Sequence, residues 1–209
     1  MWKDLLTHLT FTHAFFYDTY VATHLNVVLW TLAIEMQFYL IWPLLFYLYK
    51  KSFRLPGRKR ACFFFLIPAF LSLAAMICLY HPGSDPSRVY YGTDTMGFTL
   101  FLGMFLGALR HNYPVLCTPV SRKRQLPVFS GMFGITLLLF LLVKGSNSFL
   151  YLGGMFVISV FFAVMILFTE NQRTLAQELP LASQTALLGK YSYNIYLWHY
   201  PVIVLLLTA

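Results

Sequence analysis

Residues 26–49 read NVVLWTLAIEMQFYLIWPLLFYLY, a predominantly apolar stretch with one carboxylate, Glu35, near its middle. A run of this length matches the ~20 residues that an α-helix needs to cross the hydrocarbon core of a bilayer. A carboxylate at that depth costs roughly 2.5–3.5 kcal/mol on insertion scales, so such groups face a bundle interior and commonly have a task. Two readings of Glu35 stand side by side. One is a structural carboxyl, kept protonated by burial and hydrogen-bonded to a neighbouring helix. The other is an acid, base or hydrogen-bonding anchor beside a reaction path.

The rest of the chain extends the membrane reading. Of its 209 residues, 59% are hydrophobic, 19% aromatic and only 11% charged, which leaves too few charged side chains to coat a soluble globule. Windows long enough to span occur at roughly 26–49, 61–80, 95–111, 127–143, 149–169 and 186–208. The expectation is an all-α, polytopic helical membrane bundle of about six transmembrane helices, 26–208, forming one membrane domain over 1–209. Residues 1–25 are aromatic and polar-spotted, as in a segment lying at the outer interface. They lack the charged, apolar and small-residue pattern of a signal peptide, so insertion is expected to depend on a later helix or on helices outside this chain.

The net charge of +8 is explained by where the cations sit. Lys50, Lys51, Arg54, Arg58, Lys59 and Arg60 fill the first connection, and Arg110, Arg122, Lys123 and Arg124 flank the third. The second has Arg88 beside Asp85 and Asp94, and the fourth only Lys144. That alternation follows the positive-inside rule, with the first, third and fifth loops cytoplasmic and both termini outside. No nucleic-acid partner is expected. Cys62, Cys78 and Cys117 lack CxxC spacing and are read as packing residues.

Polar groups inside the windows are the candidate site. Thr31, Glu35 and Tyr39 recur every fourth residue and so form a stripe along one helix side, whereas Gln37 points about 200° away from Glu35. In the last window, Ser192, Tyr196 and His199 fall at i, i+4 and i+7, and Pro201 loosens the helix near Leu197. His199 is either a buried neutral histidine donating to a carbonyl or a proton-handling group. Pro43 should bend the first helix, and Gly103 and Gly107 have the GxxxG spacing that allows close helix approach, although glycine is also simply common in membrane helices. His13 and Asp18 match the H-x4-D spacing of glycerolipid acyltransferases, without the phosphate-binding stretch that accompanies it there. His8, His13, His24 and Asp18 fit no metal-ligand pattern, so no metal is expected.

Three stretches together resemble one family. VLWTLAIEMQFYLIWPLL (28–45) is similar to the W-S-L-x-x-E-x-Q-F-Y-L-x-x-P signature of the acyltransferase 3 family of membrane O-acyltransferases, with Thr31 in place of serine. LGKYSYNIYLWHYPVI (188–203) resembles that family's closing helix. YYGTDTMGFTLFLGMFLGAL (90–109) resembles its T-D-T-R segment, with Met96 where arginine is common. The resemblance implies transfer of an acyl group, usually acetyl from acetyl-CoA or another acyl-CoA used as co-substrate, to a hydroxyl of a cell-surface or exported glycan. It implies no bound cofactor and a multi-pass place in a bacterial inner membrane, among lipid. It also implies a C-terminal part of a larger domain, with the early helices and their arginine and histidine motif supplied from elsewhere, for instance by a partner. On this reading Glu35 and His199 are the catalytic candidates, and Trp30, Tyr39, Asp94 and Ser192 line the substrate path. The alternatives are a catalytically inactive membrane fragment, or a small transporter in which Glu35 and His199 relay protons.

Overall fold

The computed structural model describes residues 2–16, 19, 27–52, 56–113, 121–171 and 182–208. The calls on Asp18, His24 and Cys117 lie outside these residues. Helices account for the regular structure, with no strand among the described residues. Four helices are long and apolar enough to cross a membrane: Trp30–Lys51, Lys59–Leu79, Lys123–Leu142 and Leu150–Glu170. The other two windows also form helices. Phe98–Asn112 has 15 residues, and Ala182–Thr208 has 27 but a polar first half. Large side chains such as Leu40, Phe140, Leu141, Leu206 and Leu207 are exposed, so most of the apolar surface faces outward, as it does when lipid is the solvent.

Prolines and glycines shape the spans locally. Pro43 sits inside the continuous helix Trp30–Lys51. Pro68 cannot donate a backbone hydrogen bond and its ring crowds the carbonyl four residues back; the helix widens into a π turn over Cys62–Leu66, just before it. A second π turn, Leu150–Gly154, opens the last of the four spans, with Gly153 at φ +117, a conformation that side-chain-bearing residues rarely adopt. The short connection at residues 144–148 is tied by Tyr151, which donates to the Gly145 carbonyl at 2.8 Å, and Tyr80, which donates to Ser148 at 2.8 Å.

The core forms where the Lys59–Leu79 span meets Phe98–Asn112 and the start of the Leu150 span. Ala69, Met76, Tyr80, Val89, Phe98, Leu102, Leu150 and Tyr151 pack there. Ser72 joins two of these elements. Its hydroxyl donates to the Asp94 carbonyl at 2.7 Å and accepts from the Phe98 amide at 3.1 Å, satisfying a donor at a helix start that has no intrahelical partner. Among the described residues Gly103 and Gly107 seat no neighbouring helix, because a Cβ on either would meet nothing within 4 Å. They floor a cavity instead.

Residues 2–16 are more ordered than an interfacial segment requires. Trp2–Leu9 is a helix closed by a Schellman turn, in which the Thr12 amide donates to the Thr7 carbonyl at 2.8 Å and the Phe11 amide to His8 at 3.2 Å. Phe11 takes the left-handed conformation, φ 56, that this turn demands. Its carbonyl then receives the side-chain amide of Gln37 at 2.7 Å. Gln37 therefore binds the N-terminal segment, on the other side of the helix from Glu35.

Candidate functional site

The first span begins as a short 3-10 turn, Val27–Leu29, and becomes α-helical at Trp30. Here it meets the last helix through hydroxyls. Tyr196 donates to the Val28 carbonyl at 2.6 Å and lies 2.7 Å from the Thr31 hydroxyl. A phenol has one proton, so with that proton on Val28 the Thr31 hydroxyl is the donor to Tyr196.

Glu35 is half-buried one turn below this clasp and borders two cavities. One, of about 440 Å³, lies toward the last helix and is lined by Thr31, Leu32, Glu35, Ser192, Tyr193 and Tyr196. The other, of about 210 Å³, lies toward Phe98–Asn112 and is lined by Trp30, Thr31, Ile34, Glu35, Met96, Thr99 and Leu100. Thr99 and Leu100 also line a third, mainly apolar cavity of about 580 Å³ that runs past Trp42, Phe46 and Gly103 to Tyr49 and His111. The three share wall residues in sequence, and Glu35 stands at the junction of the first two. The third reaches the basic end of the first span, where Lys50 lies 4.7 Å over the Phe46 ring and Arg60 5.0 Å over that of Tyr49.

The residues expected at the site separate into groups. Trp30 lines the smaller cavity, with its ring 5.0 Å from Tyr90 and 5.2 Å edge-on to Tyr91. Ser192 lines the larger one while donating to its own helix, to the Gly189 carbonyl at 2.8 Å. Tyr39 is 63% exposed and lines neither cavity bordered by Glu35. The stripe drifts, because eight residues turn an α-helix by about 80° beyond two full turns. His199 is exposed, one turn beyond Tyr196, with Nδ1 2.5 Å from the Tyr196 carbonyl, and it is not among the lining residues.

Asp94 is engaged by Arg88, which donates to both carboxylate oxygens at 3.0 and 2.9 Å. Partial burial pushes the Asp94 carboxyl up, but the Arg88 hydrogen bonds and charge, with backbone hydrogen bonds of Asp94 and Thr95, hold it below the usual carboxylate range. Gly92 leaves room for this pair: a Cβ there would lie 2.2 Å from an Arg88 guanidinium nitrogen.

Met96, noted above only as a departure from the T-D-T-R segment, also lines the site, as do Tyr193 and Thr99, which the sequence reading did not mark. Thr99 carries the only cue, a hydroxyl in an apolar helix. A separate polar cluster lies in residues 2–16. The His8 and His13 rings stack at 3.9 Å and 3°, and His8 Nδ1 is 3.1 Å from the Asp4 carboxylate. Among the described residues no three His, Cys, Asp or Glu groups are placed to hold a metal.

A family model described as an acyltransferase domain, acyltransferase 3, matches residues 2–209. The peptidoglycan O-acetyltransferase OatA of Listeria monocytogenes is 37% identical over 182 residues, covering 85% of this chain and 28% of that protein. The O-acetyltransferase OatA of Staphylococcus aureus is 33% identical over 181 residues, covering 84% of this chain and 29% of that one. The chain thus spans less than a third of the length of these curated relatives. No solved structure matches it.

Proposed function

The chain belongs to the acyltransferase 3 family, and from that premise we propose that it forms part of a membrane O-acetyltransferase site acting on a hydroxyl of a cell-surface glycan. The observation that carries this reading is the position of Glu35 at the junction of two cavities. The acceptor oxygen attacks the carbonyl carbon of an acyl-CoA thioester, the C–S bond breaks, and the hydroxyl proton passes to a base. Glu35 is assigned as that base or as the anchor that orients the hydroxyl. The Thr31 and Tyr196 hydroxyls lie beside it with their protons engaged in the clasp, and they form a fixed polar wall in a setting partly withdrawn from water. Trp30, Tyr90 and Tyr91 offer ring faces of the kind that pack against sugars.

The donor is assigned to the long cavity, whose far end lies near Lys50, Arg60 and His111 and suits an anionic thioester. In this reading the helices Phe98–Asn112 and Ala182–Thr208 also enter the membrane, bringing the total to about six. Helices from outside the chain complete the site. Ser192 serves in the lining, Asp94 with Arg88 closes the outer rim, and Tyr39 and His199 carry no step. The named activity of the OatA relatives, whose sequences cover most of this chain, favours transfer over an inert or transporting role.

The test is labelled acetyl-CoA supplied to membranes carrying this chain in its full-length context, with and without Glu35→Gln. Transfer should fall by roughly 100-fold or more, with insertion unchanged by immunoblot of washed membranes. An unaltered rate would remove Glu35 from the chemistry.

A further inference from the structure

We infer that Tyr196 is a positioning residue: its hydroxyl clasps the last helix to the start of the first span and thereby sets the width of the cleft beside Glu35. Three observations carry this. Tyr196 makes two hydrogen bonds across the helix pair, to Val28 at 2.6 Å and with Thr31 at 2.7 Å. The last helix is otherwise largely exposed, with residues 183–195 exposed throughout, so within this chain little apolar packing ties it to the first span. Both partners, Thr31 and Tyr196, line the cleft that Glu35 borders.

The physical consequence follows from the direction of the bonds. With the Tyr196 proton on the Val28 carbonyl, the Thr31 hydroxyl donates to the phenolic oxygen. Val28 lies in the 3-10 turn that precedes the helix, and its carbonyl accepts the phenol at 2.6 Å. The phenol therefore grips backbone and side chain of the same turn at once. A helix joined at one such point pivots when the point is lost, and a displacement of about 1 Å at a reacting centre can cost about 100-fold in rate. The pivot carries Ser192 and Tyr193 with it, because they form the opposite wall.

The test has a structural and a kinetic arm. For the first, spin labels are placed on the exposed positions Leu40→Cys and Leu205→Cys, with Cys62, Cys78 and Cys117 changed to Ser, and the distance distribution is measured in lipid nanodiscs. A narrow distribution is expected for the parent and a broad one for Tyr196→Phe and for Thr31→Val, while Thr31→Ser, which keeps the hydroxyl, restores the narrow one. The kinetic arm rests on the proposed transfer reaction and uses the full-length context. Tyr196→Phe should lower kcat about tenfold, the effect of losing roughly two neutral hydrogen bonds, with KM for the acceptor changed much less. Combining Thr31→Val with Tyr196→Phe should add little to either change alone, since both break one clasp. Distributions that stay narrow in both variants would overturn the inference whatever the activity. Absence of transfer in the parent would instead sink the proposed function, and the distance measurement would still decide the clasp.

Discussion

His13 is 2% exposed, and among the described residues neither of its ring nitrogens has a hydrogen-bond partner of good geometry, although the Leu29 and Thr7 backbone lies close enough to act on it. Burial and the neighbouring His8 hold it down to about 4, against the opposing pull of the Leu29 and Thr7 backbone and the Asp4 charge. A second proton on the stack would place two cations 3.9 Å apart in a site sheltered from water. A depressed histidine value means that the docked segment binds its proton later than the free chain. Docking is therefore full above the ordinary value of 6.5 and weakens as pH falls toward about 4, by about 1.4 kcal/mol per unit within that window. A fluorine label at Leu9→Cys should report release of residues 2–16 across this range, and His13→Phe, which keeps the stacked ring without the titration, should abolish it. A transition unchanged in His13→Phe would assign the acid sensitivity to another group. The Asp94–Arg88 pair, being half exposed, contributes at most about 1 kcal/mol to the outer loop.

At the scale of elements, two glycines on separate helices should respond in opposite ways to the same change. Gly153 has open space around it, so Gly153→Ala meets no clash and its cost is that of the backbone conformation alone, about 1–2 kcal/mol. Gly103 lies within a regular helix with equally open surroundings, and Gly103→Ala should raise stability by up to about 1 kcal/mol through helix propensity. Thermal unfolding of the two variants in one detergent would read both signs. Ser72→Ala removes a hydroxyl that satisfies both the Asp94 carbonyl and the Phe98 amide, and it should cost about 1–3 kcal/mol. The same measurement checks it, and a loss confined to a few tenths would show that another donor or water replaces the serine.

For the whole molecule, the alternation of basic and neutral loops predicts an orientation that labelling can read. A cysteine introduced at Ser52 should be shielded from a membrane-impermeant maleimide in intact cells, and one at Ser84 should react. The reverse pattern would invert the bundle and move the long cavity to the outer side, away from a cytoplasmic donor. The chain is a multi-pass membrane protein with four helices long and apolar enough to cross, and with much of its apolar surface outward. Its internal contacts are correspondingly concentrated. A core gathers near Ser72 and Tyr151, an ion pair joins Arg110 to Glu170, and the hydroxyl clasp holds the last helix.

Composition and hydropathy alone pointed to the membrane class and to six windows, of which four form helices long and apolar enough to cross, because a helix in lipid must be apolar along its whole length and that requirement is local. Short motifs around Glu35 and Tyr196 likewise pointed to the family, since each is contiguous in the chain. Which polar groups share a cavity was a tertiary matter. Helical arithmetic aligned Tyr39 with Glu35, yet the drift of 3.6 residues per turn and the choice of packed face left Tyr39 exposed. His199 shared a side with Tyr196 on paper, but Tyr196 is the one that meets Val28 and Thr31, while His199 is exposed one turn further on, beside the Tyr196 carbonyl. Met96 and Thr99, from two successive helices some sixty residues further along the chain, joined the site by tertiary packing.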